Sequence, residues 1–246
     1  MLDCSSLERI IPDQLADEGT TGVATLGLHL QRYEFAARNL TSGTLLDMAC
    51  GVGYGTSYLV SACPQILWAT GVDLDKDAID YASARYPNER IQWIAADATA
   101  FRPHGSTDKP GFDNIVSLET IEHLPRPEPF FRHLVDMLLP GGILVASVPT
   151  TPSMDGNPHH LTDFTERSFR GMAHGLPLQE IAAFEQEQPF SATQVLTGTE
   201  KRLSRDHRGL LSFYWQHPGK LVSRAFSTVR YGFVNRYSTI AWRRDG

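Results

Sequence analysis

Two carboxylates and a histidine stand close together in residues 118 to 124, Leu-Glu-Thr-Ile-Glu-His-Leu. Glu119, Glu122 and His123 are spaced at i, i+3 and i+4, so they would share one face if the segment forms a helical turn. A later polar segment, residues 154 to 165, adds two adjacent histidines. A neutral imidazole can accept a proton near pH 7, and imidazoles together with carboxylates can bind a divalent metal. The pattern therefore indicates either a general base or a metal site.

A second stretch that could do chemistry is the glycine-rich segment 47 to 55, Asp-Met-Ala-Cys-Gly-Val-Gly-Tyr-Gly. Alternating glycines let the backbone approach a ligand without interference from Cβ atoms, and Asp73 at the end of the next predicted strand can accept hydrogen bonds from ribose hydroxyls. The spacing differs from the G-x-G-x-x-G of dinucleotide sites, and Asp47 would repel a pyrophosphate. The segment predicts a nucleoside cofactor with a cationic amino-acid end, such as S-adenosylmethionine.

The rest of the chain predicts the elements that bring these segments together. Strands and helices alternate with short connections, which is typical of a parallel sheet with helices on both faces. Apolar residues at three- and four-residue spacing predict an amphipathic helix over 27–41. Seven strands are predicted, over residues 44–50, 66–74, 91–96, 112–118, 142–148, 179–187 and 238–243. Further helices are predicted over residues 54–63, 76–86, 128–138 and 165–174, with an inserted helical cap over 190–236.

The chain resembles the class I S-adenosylmethionine-dependent methyltransferases in five blocks that occur in order over residues 44 to 150. The first is the glycine loop, in which Ala49 stands where the family most often has a glycine. The other four are Gly-Val-Asp-Leu-Asp at 71–75, Ile-Ala-Ala-Asp-Ala at 94–98, Phe-Asp-Asn-Ile-Val-Ser-Leu-Glu at 112–119 and Leu-Pro-Gly-Gly-Ile-Leu at 139–144. The resemblance implies an α/β fold with a Rossmann-like, doubly wound, mostly parallel seven-stranded sheet, an N-terminal helical lid and a C-terminal helical cap.

The resemblance also implies S-adenosylmethionine as the cofactor. Asp73 would bind the ribose, and Asp97 with the backbone amide of Ala98 would hold the adenine, while capping a helix or ending a solvated strand is the alternative role for each acid. Arg32 or Tyr33, on the helix that lids the cofactor in this fold, could meet the cofactor carboxylate or the acceptor. The cofactor-binding residues implied are Asp47, Ala49, Gly51, Gly53, Asp73, Leu74, Asp97, Ala98, Glu119 and Tyr33.

Residues 119 to 123, Glu-Thr-Ile-Glu-His, with a later histidine are similar to two groups within the family. Small-RNA 3′-terminal 2′-O-methyltransferases use such residues to bind a metal that engages the terminal ribose hydroxyls. Many metal-free methyltransferases of natural-product, quinone and polysaccharide pathways carry Glu-x-x-Glu-His-Leu and a later Asn-Pro-x-His. The candidate metal ligands are Glu119, Glu122, His123 and His160.

Three roles stay open for these residues. A metal would lower the pKa of an acceptor hydroxyl and orient it. Without a metal, His123 or His160 would act as general base. In the third role, Glu122 and His123 would hold the loop in place, and methyl transfer would proceed by positioning alone. The predicted catalytic residues are therefore His123, His160 and Glu122.

The bulk properties predict one methyltransferase domain. A chain of 246 residues with 41% hydrophobic residues can bury a full core. We divide it into a lid over 1–43, a cofactor-binding core over 44–189, and a cap insertion with the last strand over 190–246. The sequence shows neither an apolar run of membrane-spanning length nor a secretory signal pattern, which predicts a cytoplasmic protein without a membrane span.

The charge of the chain bears on its partners. The net charge of −6 argues against nonspecific binding of nucleic acid, although residues 201 to 246 hold ten Lys or Arg against two Asp. We therefore predict a methyl transfer to a small-molecule acceptor, on a hydroxyl oxygen. The alternatives are a metal-dependent 2′-O-methyltransferase of RNA ends and a noncatalytic cofactor-binding partner of a larger enzyme. The sequence does not define the oligomeric state.

Overall fold

The computed structural model describes residues 11–12, 19–103, 111–151, 160–189, 215, 218–219, 222 and 234–246. These residues form seven strands: β1 (Gly43–Met48), β2 (Ile66–Asp73), β3 (Ile91–Ala95), β4 (Phe112–Leu118), β5 (Leu138–Pro149), β6 (Leu178–Pro189) and β7 (Val234–Arg244). The α-helices are α1 (Gly19–Asn39), α2 (Tyr54–Ala62), α3 (Lys76–Arg85), α4 (Pro127–Met137) and α5 (Glu166–Gly171). One turn of 3₁₀ helix, Ile121–His123, follows β4.

All seven strands lie in one sheet, in the order β3-β2-β1-β4-β5-β7-β6. Strands β1 to β5 pair in parallel, and β7 runs antiparallel to both β5 and β6. The strand order reverses between β1 and β4, and in open α/β sheets such a reversal opens a crevice at the carboxyl ends of the strands. The predicted Rossmann-like, mostly parallel seven-stranded sheet is confirmed.

Several predicted boundaries were wrong. Helix α1 begins at Gly19 instead of residue 27, because Gly27 lies inside the helix and does not break it. Helix α5 ends at Gly171, before the predicted residue 174. Strand β7 begins at Val234, so the predicted cap over 190–236 overlaps its first residues. Most of that predicted cap lies outside the described residues and stays a prediction.

Helices cover both faces of the sheet. On one face, Tyr33, Ala36 and Leu40 of α1 pack with Leu59 of α2 against buried strand residues such as Val145. Strands covered on both faces become continuous apolar runs, which explains Ile-Leu-Val-Ala-Ser-Val at 143–148 of β5.

On the other face, Trp242 of β7 is 1% exposed and makes edge-to-face contacts with Phe131 of α4 and Phe169 of α5. Ring centroids in these pairs lie 5.3 and 5.4 Å apart. Such aromatic pairs add stabilisation beyond the burial of their area. The last strand is thereby fixed under α4 and α5.

In the described part of the chain, no helix is both long and apolar enough to cross a membrane.

Candidate active site

The loop after β1 contains positive φ angles, which its glycines adopt without steric strain. Ala49, Gly51 and Gly53 have positive φ angles of 64°, 57° and 84°. A Cβ on Gly53 would lie 2.6 Å from both the Ala82 side chain and the Trp93 ring, so only glycine fits there. A Cβ on Gly51 would meet nothing within 4 Å. The loop is therefore packed tightly at Gly53 and open at Gly51, where a ligand has room.

Asp73, the last residue of β2, holds this loop. Its Oδ2 accepts a hydrogen bond from the backbone N–H of Gly51 at 2.8 Å, and its Oδ1 accepts one from the N–H of Asp75 at 2.9 Å. The carboxylate is partly exposed. A carboxylate oxygen has more than one lone pair, so an oxygen that already accepts a hydrogen bond can accept another from a ligand hydroxyl. The position suits the ribose role implied by the sequence.

Asp47, near the end of β1, is a buried carboxyl group with a raised pKa. The side chain is 1% exposed, and its Oδ2 accepts hydrogen bonds from the hydroxyls of Thr56 at 2.6 Å and Tyr33 at 3.5 Å. Burial raises the pKa of Asp47 to about 7, and the two hydroxyls oppose that rise. Among the described residues, no donor reaches Oδ1. A cationic ligand group would satisfy both the missing bond and the buried charge.

Tyr33 fixes the geometry around Asp47. Its ring lies where the Cβ of any residue other than glycine at position 55 would be, so α1 and the start of α2 approach closely only because residue 55 is Gly. The ring also meets Tyr54 edge to face, with centroids 6.0 Å apart. The sequence did not predict a role for Thr56, because nothing about a threonine in the first turn of a helix indicates a hydrogen bond to Asp47.

The predicted adenine-binding residues lie at the ends of β2 and β3. Asp97 is exposed, and its Oδ1 accepts hydrogen bonds from both the backbone N–H and the hydroxyl of Thr99 at 2.8 Å. These bonds lower the pKa of Asp97. The alternative role, capping a turn, is therefore present in the structure. Ala98 is half-buried against the core, while the side chain of Leu74 is 76% exposed.

Glu119 follows β4 in a left-handed conformation, with φ 49°. Its Oε1 accepts a hydrogen bond from the Ser147 hydroxyl at 2.7 Å. Its Oε2 lies 3.7 Å from Nη1 of Arg32, a buried side chain of α1. The sequence predicted that Glu119, Glu122 and His123 share one face. The 3₁₀ turn starts only at Ile121, so Glu119 instead contacts β5 and α1.

Glu122, His123 and His160 form a separate group. Their ligand atoms all lie within 4.8 Å of one another, and Glu119 is not part of the group. Glu122 is fully buried, with its Oε1 3.9 Å from Nε2 of His123, and the rings of His123 and His160 meet edge to face at 4.9 Å. The backbone carbonyl of Glu122 accepts hydrogen bonds from the N–H groups of Leu161 at 2.8 Å and residue 162 at 3.2 Å. The loop from His160 is thus bound to the 3₁₀ turn.

The sheet therefore brings the predicted residues into two groups at the carboxyl ends of β1, β2 and β4. The glycine loop, Asp47 and Asp73 form one, and the Glu122 group forms the other. This placement, in an open α/β sheet with one antiparallel strand beside β5, defines the architecture of class I S-adenosylmethionine-dependent methyltransferases.

Comparison with known proteins agrees with this class. Residues 46–146 match the family described as a methyltransferase domain. An uncharacterised methyltransferase of Mycobacterium tuberculosis is 31% identical over 121 residues, which are 49% of this chain and 57% of that protein. A ubiquinone biosynthesis O-methyltransferase of Albidiferax ferrireducens is 31% identical over 103 residues, 40% of this chain and 38% of that protein. The chain thus spans little more than half of the first relative and less of the second.

The N-methyltransferase NodS from Bradyrhizobium japonicum, solved in complex with S-adenosyl-L-homocysteine, has the same fold. The two structures superpose with a TM-score of 0.61 at 19% sequence identity, and the match covers 98% of this chain and 95% of the NodS chain. Residues 46–146 are thus similar to a methyltransferase domain, and the chain shares the fold of a solved methyltransferase.

Proposed function

We propose that the chain transfers a methyl group from S-adenosylmethionine to a small-molecule acceptor, on a hydroxyl oxygen. The observation that carries the proposal is the buried Asp47 carboxyl beside a glycine loop that Asp73 holds open. When bound, S-adenosylmethionine supplies a sulfonium-activated methyl group. The name of the ubiquinone biosynthesis O-methyltransferase supports a small acceptor and transfer to oxygen. NodS is an N-methyltransferase, so nitrogen is the alternative acceptor atom.

In this proposal, the two acids hold opposite parts of the cofactor. Asp47 is buried with an unsatisfied Oδ1 among the described residues, so it would accept hydrogen bonds from the cofactor ammonium. Asp73 would accept the ribose hydroxyls while keeping its bond to Gly51. Asp97, Ala98 and the exposed side chain of Leu74 would surround the adenine. Ala49, Gly53 and Glu119 would line the cofactor between its ammonium and its adenine.

His160 or His123 would act as the general base toward the acceptor hydroxyl. The two imidazoles meet edge to face beyond the carboxyl end of β4, where ligands bind in open α/β sheets. A hydroxyl that is alkylated must lose its proton, and a neutral imidazole can accept it near pH 7. Glu122 lies 3.9 Å from His123 and would orient that ring. If neither imidazole takes the proton, Glu122 and His123 hold the loop and catalysis relies on positioning.

The Glu122, His123 and His160 group also supports a second candidate, a divalent metal site. One carboxylate and two imidazoles are a suitable donor set for Mn²⁺ or Zn²⁺, and the ligand atoms would have to move closer than their present 4.8 Å spread. In that case the chain would methylate a vicinal diol such as an RNA end. Calorimetric titration of Mn²⁺ into chelator-treated protein with S-adenosylhomocysteine, repeated with Glu122→Ala, tests it. Tight binding lost in the variant supports the metal, and no binding excludes it.

Methyl transfer itself is tested by incubating the protein with tritiated S-adenosylmethionine and sugars, phenols or short RNAs. We expect label on a small hydroxyl compound, and loss of that label in Asp73→Ala. Label on RNA alone would overturn the small-molecule proposal. Cofactor binding without label on any acceptor would favour the noncatalytic alternative, a cofactor-binding partner of another enzyme.

A further inference from the structure

A polar pocket lies between α4 and the segment that follows β3. Its cavity volume is about 420 Å³. It is lined by Arg102, Glu128, Pro129, Arg132, His133 and Asp136. Arg102 comes from the segment after β3, and the other lining residues lie on α4. None of them belongs to the two groups of the candidate active site, so the pocket needs an explanation of its own.

Within this pocket, an arginine contacts a buried histidine. Nη1 of Arg102 lies 2.7 Å from Nε2 of His133, and it also donates a hydrogen bond to the backbone carbonyl of Phe101 at 2.8 Å. His133 is 8% exposed, and its burial, together with the charge of Arg102, lowers its pKa. Because a guanidinium has no acceptor atom, the imidazole must be neutral and accept the hydrogen bond at Nε2. Both contacts thus hold one end of the guanidinium in place.

The two arginines keep donors for a ligand. In the described part of the chain, the hydrogen bonds of Arg102 use Nη1 alone, which leaves Nε and Nη2. Arg132 forms neither a hydrogen bond nor an ion pair with any described residue. Glu128 and Asp136 lie four residues before and after Arg132, at the spacing of helical ion pairs, yet neither pairs with it. Two cations that no described carboxylate neutralises therefore line one pocket.

These groups fit an oxyanion better than a metal ion. A planar guanidinium presents paired N–H donors that match the oxygens of a phosphate group. His133, in contrast, belongs to no group of three potential metal ligands among the residues that the structure describes. The carboxylates of Glu128 and Asp136 are exposed, so water and salt screen their repulsion of an anion.

We propose that Arg102 and Arg132 bind a phosphate group in this pocket, and that His133 is a positioning residue that holds Arg102. The ligand is either inorganic phosphate or a small phosphate monoester, because both present the same oxygens. The inference goes beyond the proposed function and does not depend on it. Failure of methyl transfer would leave it intact, and failure of phosphate binding would leave the methyltransferase proposal intact.

Isothermal titration calorimetry with inorganic phosphate and with phenyl phosphate tests the site, at low ionic strength and at pH 8, where phosphate monoesters are dianions. Arg132→Gln should weaken the binding of both by about tenfold, the effect of losing one charge-assisted hydrogen bond. Arg38→Gln is the matched control, because Arg38 is an exposed arginine of α1 that pairs with Glu34. It should leave both affinities unchanged. Tighter binding of phenyl phosphate would identify a monoester as the ligand, and equal affinities would identify phosphate itself.

A charge change of the opposite sign sharpens the test. Glu128→Gln removes a negative charge from the same pocket, so it should tighten phosphate binding about two- to fivefold, the scale of an exposed charge interaction. His133→Gln keeps an acceptor for Arg102 and should bind phosphate within about threefold of wild type, whereas His133→Leu should weaken binding by about tenfold.

Several results would overturn the inference. Wild-type protein that binds neither ligand has no phosphate site, and binding that no variant changes would show an adventitious ion only. Weaker phosphate binding in Glu128→Gln would contradict an anion site. Equal losses in His133→Gln and His133→Leu would contradict the positioning role of His133. Thermal unfolding of each variant shows that it is folded, and Arg132→Gln should fold normally because Arg132 is exposed and has no polar partner among the described residues.

Discussion

The Oδ2 atom of Asp73 accepts a hydrogen bond from the backbone N–H of Gly51 at 2.8 Å, so the acid that ends β2 also fixes the glycine loop after β1. Gly51 has a φ of 57°, and the space where its Cβ would lie is open. In the proposed function, the same carboxylate would bind the ribose, so ligand binding and loop geometry would be coupled through Asp73. Removing that carboxylate should affect both.

We expect Asp73→Ala to weaken binding of S-adenosylhomocysteine by about 1 to 3 kcal/mol, the cost of leaving buried hydrogen-bonding groups unpaired. Calorimetric titration measures this directly. Asp80→Ala is the matched control, because Asp80 is an exposed acid on α3 that pairs with Lys76. Equal affinity in wild-type protein and Asp73→Ala would show that Asp73 does not bind the ribose.

Cofactor binding should depend on pH through Asp47. Its pKa of about 7 in the free protein lies far above the ordinary value, because the group is buried. A cationic ligand binds the ionised form, so affinity for S-adenosylhomocysteine should be about tenfold weaker at pH 6 than at pH 8. Binding near pH 6.5 should also release a proton, measurable by titration in buffers of different ionisation enthalpy. A constant affinity and no proton release would contradict the assignment.

Asp47→Asn should raise the stability of the protein at pH 8 while weakening its binding of the cofactor. The folded-state pKa is raised from 3.8 to about 7, so the contribution of this group to stability is full below pH 3.8 and is lost as the pH rises through 7. The variant should therefore be more stable than wild type at pH 8, by up to about 4 kcal/mol, with an advantage that shrinks toward pH 4. Urea denaturation at both pH values measures it. The variant should also bind the cofactor poorly. An Asp47→Asn variant less stable than wild type at pH 8 would mean that burial does not destabilise the ionised form of Asp47.

The contact between Gly55 and Tyr33 predicts a steric effect. A Cβ at position 55 would overlap the Tyr33 ring, so Gly55→Ala should destabilise the fold by about 1 to 3 kcal/mol and displace Tyr33 from Asp47. Gly27→Ala is the control, because Gly27 lies inside α1 with nothing within 4 Å of its Cβ position. It should stabilise the protein by about 0.5 to 1 kcal/mol. A Gly55→Ala variant as stable as wild type would show that α1 can move away from α2.

Substitutions at His123 and His160 should change the rate of methyl transfer without changing the affinity for the cofactor. If His160 or His123 is the base, His160→Asn or His123→Asn should slow methyl transfer by about 100- to 10,000-fold without weakening S-adenosylhomocysteine binding. Single-turnover transfer of labelled methyl to the acceptor found in the screen measures the rate. His174→Asn, at an exposed position after α5, is the control. Unchanged rates in both variants would support catalysis by positioning alone.

The sequence predicted most of the sheet and the positions of Asp47 and Asp73 beside the glycine loop, because these signals are local. A strand that runs into alternating glycines, followed by a strand that ends in an acid, constrains the backbone within about thirty residues. Asp47 and Asp73 lie on these strands. Their placement followed from the pairing of β1 with β2, which short connections enforce.

The remaining contacts could not be predicted, because they depend on distant parts of the chain. Arg32 meets Gln186 only because α1 lies over β6 and β7, an arrangement that no local pattern encodes. Glu119 was expected on one face with Glu122, yet its left-handed backbone turns it toward Ser147. A side chain's spacing predicts its face only where the secondary structure is regular.

The most direct test of the central claim is a calorimetric titration of S-adenosylhomocysteine into the full chain at pH 8, with NAD⁺ as the comparison ligand. The structure predicts binding of one S-adenosylhomocysteine per chain and no detectable binding of NAD⁺, because Asp47 at the glycine loop would repel a pyrophosphate. Absence of S-adenosylhomocysteine binding, or tighter binding of NAD⁺, would contradict the account.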